Sequence, residues 1–156
     1  MVSELVQPRE CSVARTLEIV GGRFALLALR EVMLGDRRFD EMVRRTGASR
    51  DTLATRLRKL VGAGILERRR YCDHPVRYEY HLTEAGRDLY PVIVALMRWG
   101  DRYLTWDEGP PMALEHSCGH HLGARLVCEG CGETVEVDTS HPVKLSGSYQ
   151  IEACAG

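Results

Sequence analysis

The sequence predicts a mainly α-helical fold with a single β-hairpin, followed by a small extension in which cysteines cluster. Three observations lead to this fold class. Apolar residues recur at helical spacing through most of residues 11–104. Two strand-like runs, 65–71 and 77–82, lie together just before the last helical pattern. After residue 106 the helical pattern ends, and Cys and His residues lie close together along the chain.

Three helices are predicted in the first part of the chain. The first covers residues 11–20 and ends at two glycines. The second is apolar and runs over about 23–34. The third is short, over 39–45, and ends at the turn Gly47-Ala48. A short helix followed by a glycine-containing turn is typical of the first half of a helix-turn-helix.

The fourth helix is predicted over about 50–63. Ser49 stands before it as the N-cap, because its hydroxyl can accept a hydrogen bond from a free backbone N–H group of the first turn. Gly64 follows the helix as the residue that tolerates a left-handed backbone. One face carries an apolar stripe that must pack into the core, formed by Leu53, Leu57, Leu60 and Val61.

A hairpin and one long helix complete this part of the chain. The runs 65–71 and 77–82 predict two antiparallel strands with a loop of about five residues, 72–76. Thr83 then caps a helix that extends to about residue 104. Pro91 lies inside this helix and is expected to kink or weaken it, because proline has no backbone N–H and its ring clashes with the preceding turn.

The predicted domain organisation is one domain over 1–106, a linker over 107–113 and a tail over 114–156. Adjacent prolines mark the linker. The charge changes sign at the same place, since residues 1–106 contain 19 Lys and Arg against 14 Asp and Glu, whereas residues 107–156 contain 2 against 8. A basic body followed by an acidic tail favours an anionic partner for the body.

Composition also bears on the compartment. No apolar run approaches the roughly 20 residues that a membrane span needs. No basic stretch followed by an apolar segment opens the chain, so we expect no signal peptide. We therefore expect no membrane partner and a cytoplasmic location. In that compartment the six cysteines are better explained as metal ligands or redox thiols than as a disulfide framework.

The third and fourth helices form a predicted helix-turn-helix, and the arginine-rich hairpin behind them is a predicted wing, so the fold class is a winged helix-turn-helix. With the leucine stripe inward, the fourth helix would present short polar residues and cations to the major groove of DNA. The arginines of the hairpin would contact phosphates or the minor groove. The candidate DNA-binding residues are Arg37, Arg38, Ser49, Arg50, Thr52, Thr55, Arg56, Lys59, Arg69, Arg70 and Arg77.

In these features the chain resembles the HxlR-type winged helix-turn-helix transcriptional regulators of bacteria. The resemblance covers about residues 9–106 and depends on several short motifs taken together. At residues 22–24 the chain has Gly-Arg-Phe where the family more often has Gly-Lys-Trp. The matching motifs are CSVARTL at 11–17, GGRF at 21–24, RFDEM at 38–42, LRKL at 57–60, GILER at 64–68, YEYHLTEAG at 78–86 and Trp99.

The resemblance implies a sequence-specific regulator that acts as a homodimer. Each protomer would place its recognition helix in the major groove of a palindrome-like operator, a double-stranded DNA, with the wing alongside. Repression is the expected action. An unidentified small molecule or oxidant would be the effector, since some members of the family respond to electrophiles or oxidants through cysteine.

The last predicted helix favours a dimer on its residues alone. One of its two apolar faces can pack on its own domain, and the other would stay exposed unless a partner covers it. The alternative is that both faces pack inside one protomer. The first face is Ala85, Leu89, Val92, Ile93 and Leu96, and the second is Tyr90, Val94, Met97 and Trp99.

The tail carries a predicted structural zinc site, one ion per protomer. The sequence Cys128-x2-Cys131-Gly132 has the spacing of a zinc knuckle, and Cys118-Gly119 supplies the other half. Such a site would hold together a small zinc-ribbon-like extension that has no core of its own. Competing interpretations are a redox thiol pair and a disordered acidic tail. The predicted ligands are Cys118, His121, Cys128 and Cys131, with His116 as the alternative fourth ligand and His120 after it.

Three other function classes compete with a DNA-binding regulator. They are a winged helix used only for protein interaction, a thiol-based redox sensor that uses the cysteine tail, and a metalloenzyme. A catalytic zinc needs an open coordination position, which four candidate ligands argue against. The sequence has no phosphate-binding glycine loop, no dinucleotide fingerprint and no serine nucleophile elbow. We therefore expect that the protein is not an enzyme.

Overall fold

The structure is a computed structural model that describes residues 11–104 and 107–141. Residues 1–10 and 142–156, which belong to the predicted first domain and the predicted tail, lie outside the described part. The chain divides into two compact units, Ser12–Gly109 and Pro110–Gly156 with Met1–Cys11. We call the first unit the body and the described residues 110–141 the tail. The division falls inside the predicted linker, 107–113.

The body is mainly helical, with one two-stranded antiparallel hairpin, and the four helices before the hairpin and the helical segment after it follow the predicted order. The winged-helix fold class is therefore confirmed. None of the described helices is long and apolar enough to cross a membrane. The elements are α1 (Ser12–Val20), α2 (Arg23–Leu34), α3 (Phe39–Thr46), α4 (Arg50–Gly62), β1 (Leu66–Asp73), β2 (Val76–Leu82), α5 (Glu84–Arg87) and α6 (Tyr90–Tyr103).

The ends of α3 and α4 are set by the residues that the sequence singles out. Ser49 is the N-cap of α4, and its hydroxyl accepts a hydrogen bond of 3.2 Å from the backbone N–H of Thr52. Gly47 ends α3 with a φ of 68°, and Gly64 follows α4 with a φ of 71°. A side chain disfavours these left-handed conformations, which explains glycine at both turns.

The core of the body is aliphatic and centres on α2 and α4. Leu53, Leu57 and Leu60 are completely buried, as the predicted stripe requires. They pack in one cluster with Leu29 of α2 and Leu66 of β1. Burying each such side chain contributes about 1.5–3 kcal/mol relative to leaving it in water. The cluster therefore fixes which side of α4 is turned away from the core.

The hairpin is longer than predicted. Its pairing continues through Cys72↔Arg77 and Asp73↔Val76, so only His74 and Pro75 remain in the turn. Pro75 has no backbone N–H to give to a strand ladder, which suits it to the turn. The register shifts between Arg70 and Cys72, where one extra residue forms a bulge. We call β1 and β2 together the wing.

The last predicted helix is broken in two. The structure ends α5 at Arg87 and begins α6 at Tyr90, with Pro91 in the first turn of α6. The missing N–H of a proline costs little in the first turn, where no intrahelical partner exists for it. The sequence identified the correct position, but the result is a new helix start and not a kink within one helix.

The tail contains two short turns and no buried residue among residues 110–141. Single bridges join Glu115 to His121 and Val127 to Thr134. A 3-10 turn, Val137–Thr139, follows. Leu126 is 71% exposed and Val137 is 96% exposed. Hydrophobic burial within the described tail is therefore too small to explain a defined fold.

Candidate DNA-binding surface and candidate metal ligands

The turn between α3 and α4 is fixed by side-chain hydrogen bonds. The hydroxyl of Thr46 donates to the carbonyl of Met42 at 2.7 Å and accepts from the N–H of Ala48 at 3.3 Å. Thr46 and Ala48 are both buried. A turn whose buried polar groups are satisfied holds the two helices in one relative orientation. This is the geometry that a helix-turn-helix needs to present α4.

The outward face of α4 carries Thr55 and Arg58. Both are exposed, and the guanidinium of Arg58 donates to the Thr55 hydroxyl at 3.1 Å. Because 3.6 residues make one turn, these two positions lie opposite the buried Leu53 and Leu57. Thr55 was predicted at this surface, but Arg58 was missed. The phase of the leucine stripe was the signal that could have identified it.

Arg56 and Lys59 both lie toward α1 and the start of α2, and of the two only Lys59 is exposed. Arg56 is half-buried, and its guanidinium lies so close to Gly22 that an added Cβ there would be 3.0 Å from Cζ. The ammonium of Lys59 donates to the backbone carbonyl of Glu18. Arg56 follows Leu53 by three positions and precedes Leu57 by one, so it flanks the buried face. Both cations thus lie on the side of α4 that faces α1 and the start of α2.

The beginning of α4 combines a cap with an ion pair. The Ser49 hydroxyl donates to the Thr52 hydroxyl at 2.8 Å, so these predicted residues also bond to each other. Arg50 donates to the carboxylate of Asp40 at 2.7 Å and lies 4.9 Å from the ring centroid of Phe39. An exposed ion pair of this kind is worth at most about 1 kcal/mol, so Arg50 can exchange Asp40 for a phosphate.

The wing presents arginines along both strands. Arg69 bonds to the carboxylate of Glu67, and Arg70 pairs with Asp73 at 3.0 Å. Arg68 lies 4.0 Å over the ring of Tyr78. Within the described residues, no ion pair is found for Arg77. All three predicted wing residues, Arg69, Arg70 and Arg77, are exposed.

Arg38 connects the helix-turn-helix to the wing. Its guanidinium donates to Glu79 of β2 at 3.2 Å and lies 4.7 Å over the Tyr71 ring. The hydrogen bond to Glu79 raises the pKa of Arg38 above its ordinary value. Next to it, the carbonyl of Arg37 accepts from the N–H of Tyr80 at 2.9 Å. The backbone of Arg37 and the side chain of Arg38 therefore set the position of the wing.

A second exposed surface of the body is apolar. Trp99 and Tyr103 are each 57% exposed, and their ring centroids are 5.4 Å apart. On α6 only Ile93 and Val94 are buried. The two predicted apolar faces of the helix are therefore not one buried and one exposed. Ile93 belongs to the first predicted face and Val94 to the second, and the other large apolar residues of both faces are at least partly exposed. The exposed apolar residues of α1 and the α6 region are Val13, Leu17, Tyr90, Val92, Leu96, Trp99, Tyr103 and Leu104.

The cysteines of the tail are exposed thiols that lie in two pairs of donors. In the first, the Nδ1 atom of His116 is 3.1 Å from the Cys118 sulfur, and Nδ1 of His120 is 3.6 Å from the same sulfur. His121 is found in the bridge to Glu115. Within the described residues, no three His, Cys, Asp or Glu side chains are arranged around one point as a metal would need. The zinc site thus stays a prediction.

The second donor pair is Cys128 and Cys131. The backbone N–H groups of Cys131 and Gly130 and the Cys131 thiol bond to the Cys128 sulfur and lower the pKa of the Cys128 thiol. These bonds favour a thiolate, which is the form that binds metal or reacts with oxidants.

Comparison with known proteins places the body among transcriptional regulators. The model of the family described as HxlR-like helix-turn-helix matches residues 19–108. An uncharacterized HTH-type transcriptional regulator of Mycobacterium tuberculosis is 53% identical over 125 residues, which are 80% of this chain and 79% of that protein. The family match ends at residue 108, and an alignment that covers 125 residues of this chain must extend beyond that point. The similarity to the mycobacterial protein therefore extends into the tail.

Solved structures of similar proteins also belong to regulators. The crystal structure of PA1607, named as a candidate transcription factor, matches with a TM-score of 0.76 and 28% identity over 86% of this chain and 95% of that one. The redox regulator HypR in its oxidized form matches with a TM-score of 0.58 and 32% identity over 62% of this chain and 100% of that one. The PA1607 match is long enough to include part of the tail.

Proposed function

The chain belongs to the HxlR-like helix-turn-helix family, and we propose that it is a transcriptional repressor that binds a specific double-stranded DNA as a homodimer. Similar proteins carry the name HTH-type transcriptional regulator, and regulators of this family are in general not enzymes. The observation that carries the proposal is the exposed pair Thr55 and Arg58 on α4, with the arginines of the wing beside the same helix-turn-helix.

We expect α4 to be the recognition helix, with its outward face in the major groove. Thr55 can bond to a base edge or contact a thymine methyl group, and Arg58 has the forked guanidinium that pairs with guanine in the major groove. Their mutual hydrogen bond holds both side chains in place before DNA binds, which lowers the entropy lost on binding. Ser49, Arg50 and Thr52 would contact the DNA backbone or bases at the N-terminal end of the helix.

Arg69, Arg70 and Arg77 are proposed to contact phosphates beside the groove. The ion-pair partners of Arg69 and Arg70, which are Glu67 and Asp73, have side chains 45% and 74% exposed and can be exchanged for phosphate at small cost. Four other predicted DNA-binding residues would lie at the edge of this surface: Arg37, Arg38, Arg56 and Lys59. Of these, Arg38 would act mainly by holding the wing, because its guanidinium already has two partners.

The proposed dimer uses the exposed apolar residues of α1 and α6. Trp99, Tyr103 and Leu96 are more than half exposed, as are Val13 and Leu17 of α1. Such large apolar side chains side by side on a helix favour a partner surface, and a second copy of the chain is the partner that a two-fold operator requires.

The dimer is tested by light scattering on Trp99→Glu, with Leu126→Glu in the tail as the control. The first variant should become monomeric and the second should stay a dimer. If Trp99→Glu were still a dimer at micromolar concentration, this surface would not be the interface.

DNA binding is tested by selection from a pool of random double-stranded DNA. The wild-type chain should enrich an inverted repeat whose half-site centres lie about one helical turn, or a multiple of it, apart. Arg58→Ala should lose or relax the enrichment, whereas Arg125→Ala in the tail should enrich the same repeat. If the wild type enriched no sequence, the proposal of a sequence-specific regulator would be wrong.

A further inference from the structure

We propose that the tail binds one structural zinc ion through His116, Cys118, Cys128 and Cys131, with His116 as the fourth ligand. This proposal does not depend on the DNA-binding function, because its residues all lie in the tail. It assigns the fourth ligand differently from the spacing argument, which favoured His121. The reason is a correspondence between the two turns of the tail.

The two turns have the same hydrogen-bond pattern. In the second turn the N–H of Gly132 donates to the carbonyl of Cys128 at 2.7 Å, and the N–H of Cys128 donates to Glu133 at 2.8 Å. In the first turn the N–H of Gly119 donates to the carbonyl of His116 at 2.8 Å, and the N–H of His116 donates to His120 at 2.9 Å. The first turn is one residue shorter, and otherwise His116 takes the place of Cys128.

The positions after these residues correspond as well. Cys118 and Cys131 each stand immediately before a glycine with a left-handed backbone, Gly119 with a φ of 84° and Gly132 with a φ of 78°. In each turn the second donor therefore lies at the point where the chain reverses. His121 instead lies in the bridge with Glu115, as Thr134 lies in the bridge with Val127. By this correspondence His121 belongs to the strand-like arm of the turn.

In the first turn the backbone of the second donor also holds the first donor. The backbone N–H of Cys118 donates to Nδ1 of His116 at 3.3 Å, and zinc would take over the lone pair that this hydrogen bond uses. Before zinc binds, the bond orients His116 and Cys118 toward one side of the turn. Each turn thus presents two donors at the two ligand positions, and His120 is a further imidazole of the first turn.

The distance inside the first pair suits a shared tetrahedral ion. Zinc bonds of about 2.3 Å to sulfur and about 2.0 Å to nitrogen at the tetrahedral angle put the two ligand atoms about 3.5 Å apart. Nδ1 of His116 and the sulfur of Cys118 are 3.1 Å apart. Nδ1 of His120 is 3.6 Å from the same sulfur, so the distance fits either imidazole, and the correspondence between the two turns is what favours His116. The pair of His116 and Cys118 needs to open by only a few tenths of an ångström, whereas the two turns must approach each other to complete the site.

Zinc would supply the stabilisation that the tail otherwise lacks. Among residues 110–141 no side chain is buried, and Cys118, Cys128 and Cys131 are exposed thiols. Segments of this size usually need a metal, a disulfide or a partner in order to fold. On binding, the three thiols would release their protons and a neutral imidazole would complete a closed site of three sulfurs and one nitrogen.

The test measures zinc per chain in the full-length protein, purified without chelator under reducing conditions, together with its release to a competing chelator. Wild type should contain one zinc per chain. Cys118→Ser and Cys128→Ser should contain almost none. His116→Ala should bind zinc at least about 100-fold more weakly, since even residues that only support a ligand contribute 10–100-fold.

Two controls separate a ligand role from a general loss of folding. His116→Cys should retain one zinc, because a fourth sulfur can replace the imidazole, whereas a merely structural role of His116 would not be rescued in this way. His120→Ala and His121→Ala should keep wild-type affinity. Loss of zinc from His121→Ala with retention in His116→Ala would overturn the assignment. So would a wild-type protein without zinc whose Cys128 and Cys131 oxidise to a disulfide.

Discussion

The body and the tail of this protein obtain their order from different sources. The body buries a continuous aliphatic cluster, in which Leu29, Leu53 and Leu57 have no exposed surface. The tail buries none of its described residues and shows instead two hydrogen-bonded turns with sulfur and nitrogen donors at their tips. A helical period in the sequence therefore identifies the first kind of region, whereas donor spacing and glycine position identify the second.

The largest expected difference between the two regions is in core substitutions. Leu57→Ala in α4 should lower the free energy of unfolding by about 2–5 kcal/mol, because it removes a completely buried side chain and leaves a cavity. Leu126→Ala in the tail, where the side chain is 71% exposed, should change it by less than about 0.5 kcal/mol. Urea unfolding followed by circular dichroism measures both. Equal effects would mean that the tail has a hydrophobic core outside the described residues.

The next difference concerns charge. Arg58→Ala should weaken binding to the selected operator by about 1–3 kcal/mol, because a guanidinium that reads a base is lost. Arg125→Ala, a cation of the tail, should leave the affinity unchanged. Arg56 is also a predicted DNA-binding residue, but its half-buried position against Gly22 predicts a smaller loss for Arg56→Ala than for Arg58→Ala. Fluorescence anisotropy at a fixed salt concentration measures the affinity of the three variants for the operator. If Arg56→Ala lost the most affinity, Arg56 and not Arg58 would be the residue that reads a base.

A smaller effect is expected at the cap of α4. Ser49→Ala removes the hydroxyl that accepts from the Thr52 N–H, and should cost about 1 kcal/mol of stability. Ser117→Ala in the first turn of the tail serves as the matched change in the other region and should leave the unfolding of the body unaltered. Thermal unfolding measures both variants. An unchanged midpoint for Ser49→Ala would show that water replaces the cap without loss.

The smallest effect is expected from removing the tail altogether. A chain that ends after Gly109 should remain a folded dimer whose unfolding free energy lies within about 0.5 kcal/mol of the full chain, because the body contains the whole described aliphatic cluster. Light scattering and urea unfolding measure this. An unfolded or monomeric fragment would show that the body depends on the tail, contrary to the predicted border at 107–113.

Much of the body could be predicted because each signal there is local. Ser49 and Gly64 mark the two ends of α4, and the leucine stripe fixes its buried side. The orientation of Arg56 was missed because it depends on the position of the residue around the axis of α4 relative to the leucine stripe. The charge of a residue does not give that position. The position around the axis would also have identified Arg58, which lies opposite the stripe.

The end of the hairpin, the helix break and the choice of the fourth zinc ligand depend on contacts between residues, which the sequence alone does not show. The continuation of the hairpin through Cys72 and Asp73 follows from backbone partners across the turn, although aspartate is depleted in strands. Pro91 marked the place of the helix break, but the sequence did not distinguish a kink from the start of a new helix. In the tail, spacing alone cannot distinguish His116 from His121, because their difference lies in the hydrogen bonds of the turn.

The most direct test of the central claim is the salt dependence of DNA binding by the full chain. Its affinity for the selected operator should fall linearly on a logarithmic scale with rising salt, with a slope of about −0.9 for each phosphate neutralised, and Arg70→Ala should reduce the slope by about 1. At a fixed salt concentration the operator should bind at least about 1,000-fold more tightly than a scrambled duplex. Binding that is absent, independent of salt or equal for both duplexes would contradict the account, and would favour a winged helix that recognises another protein.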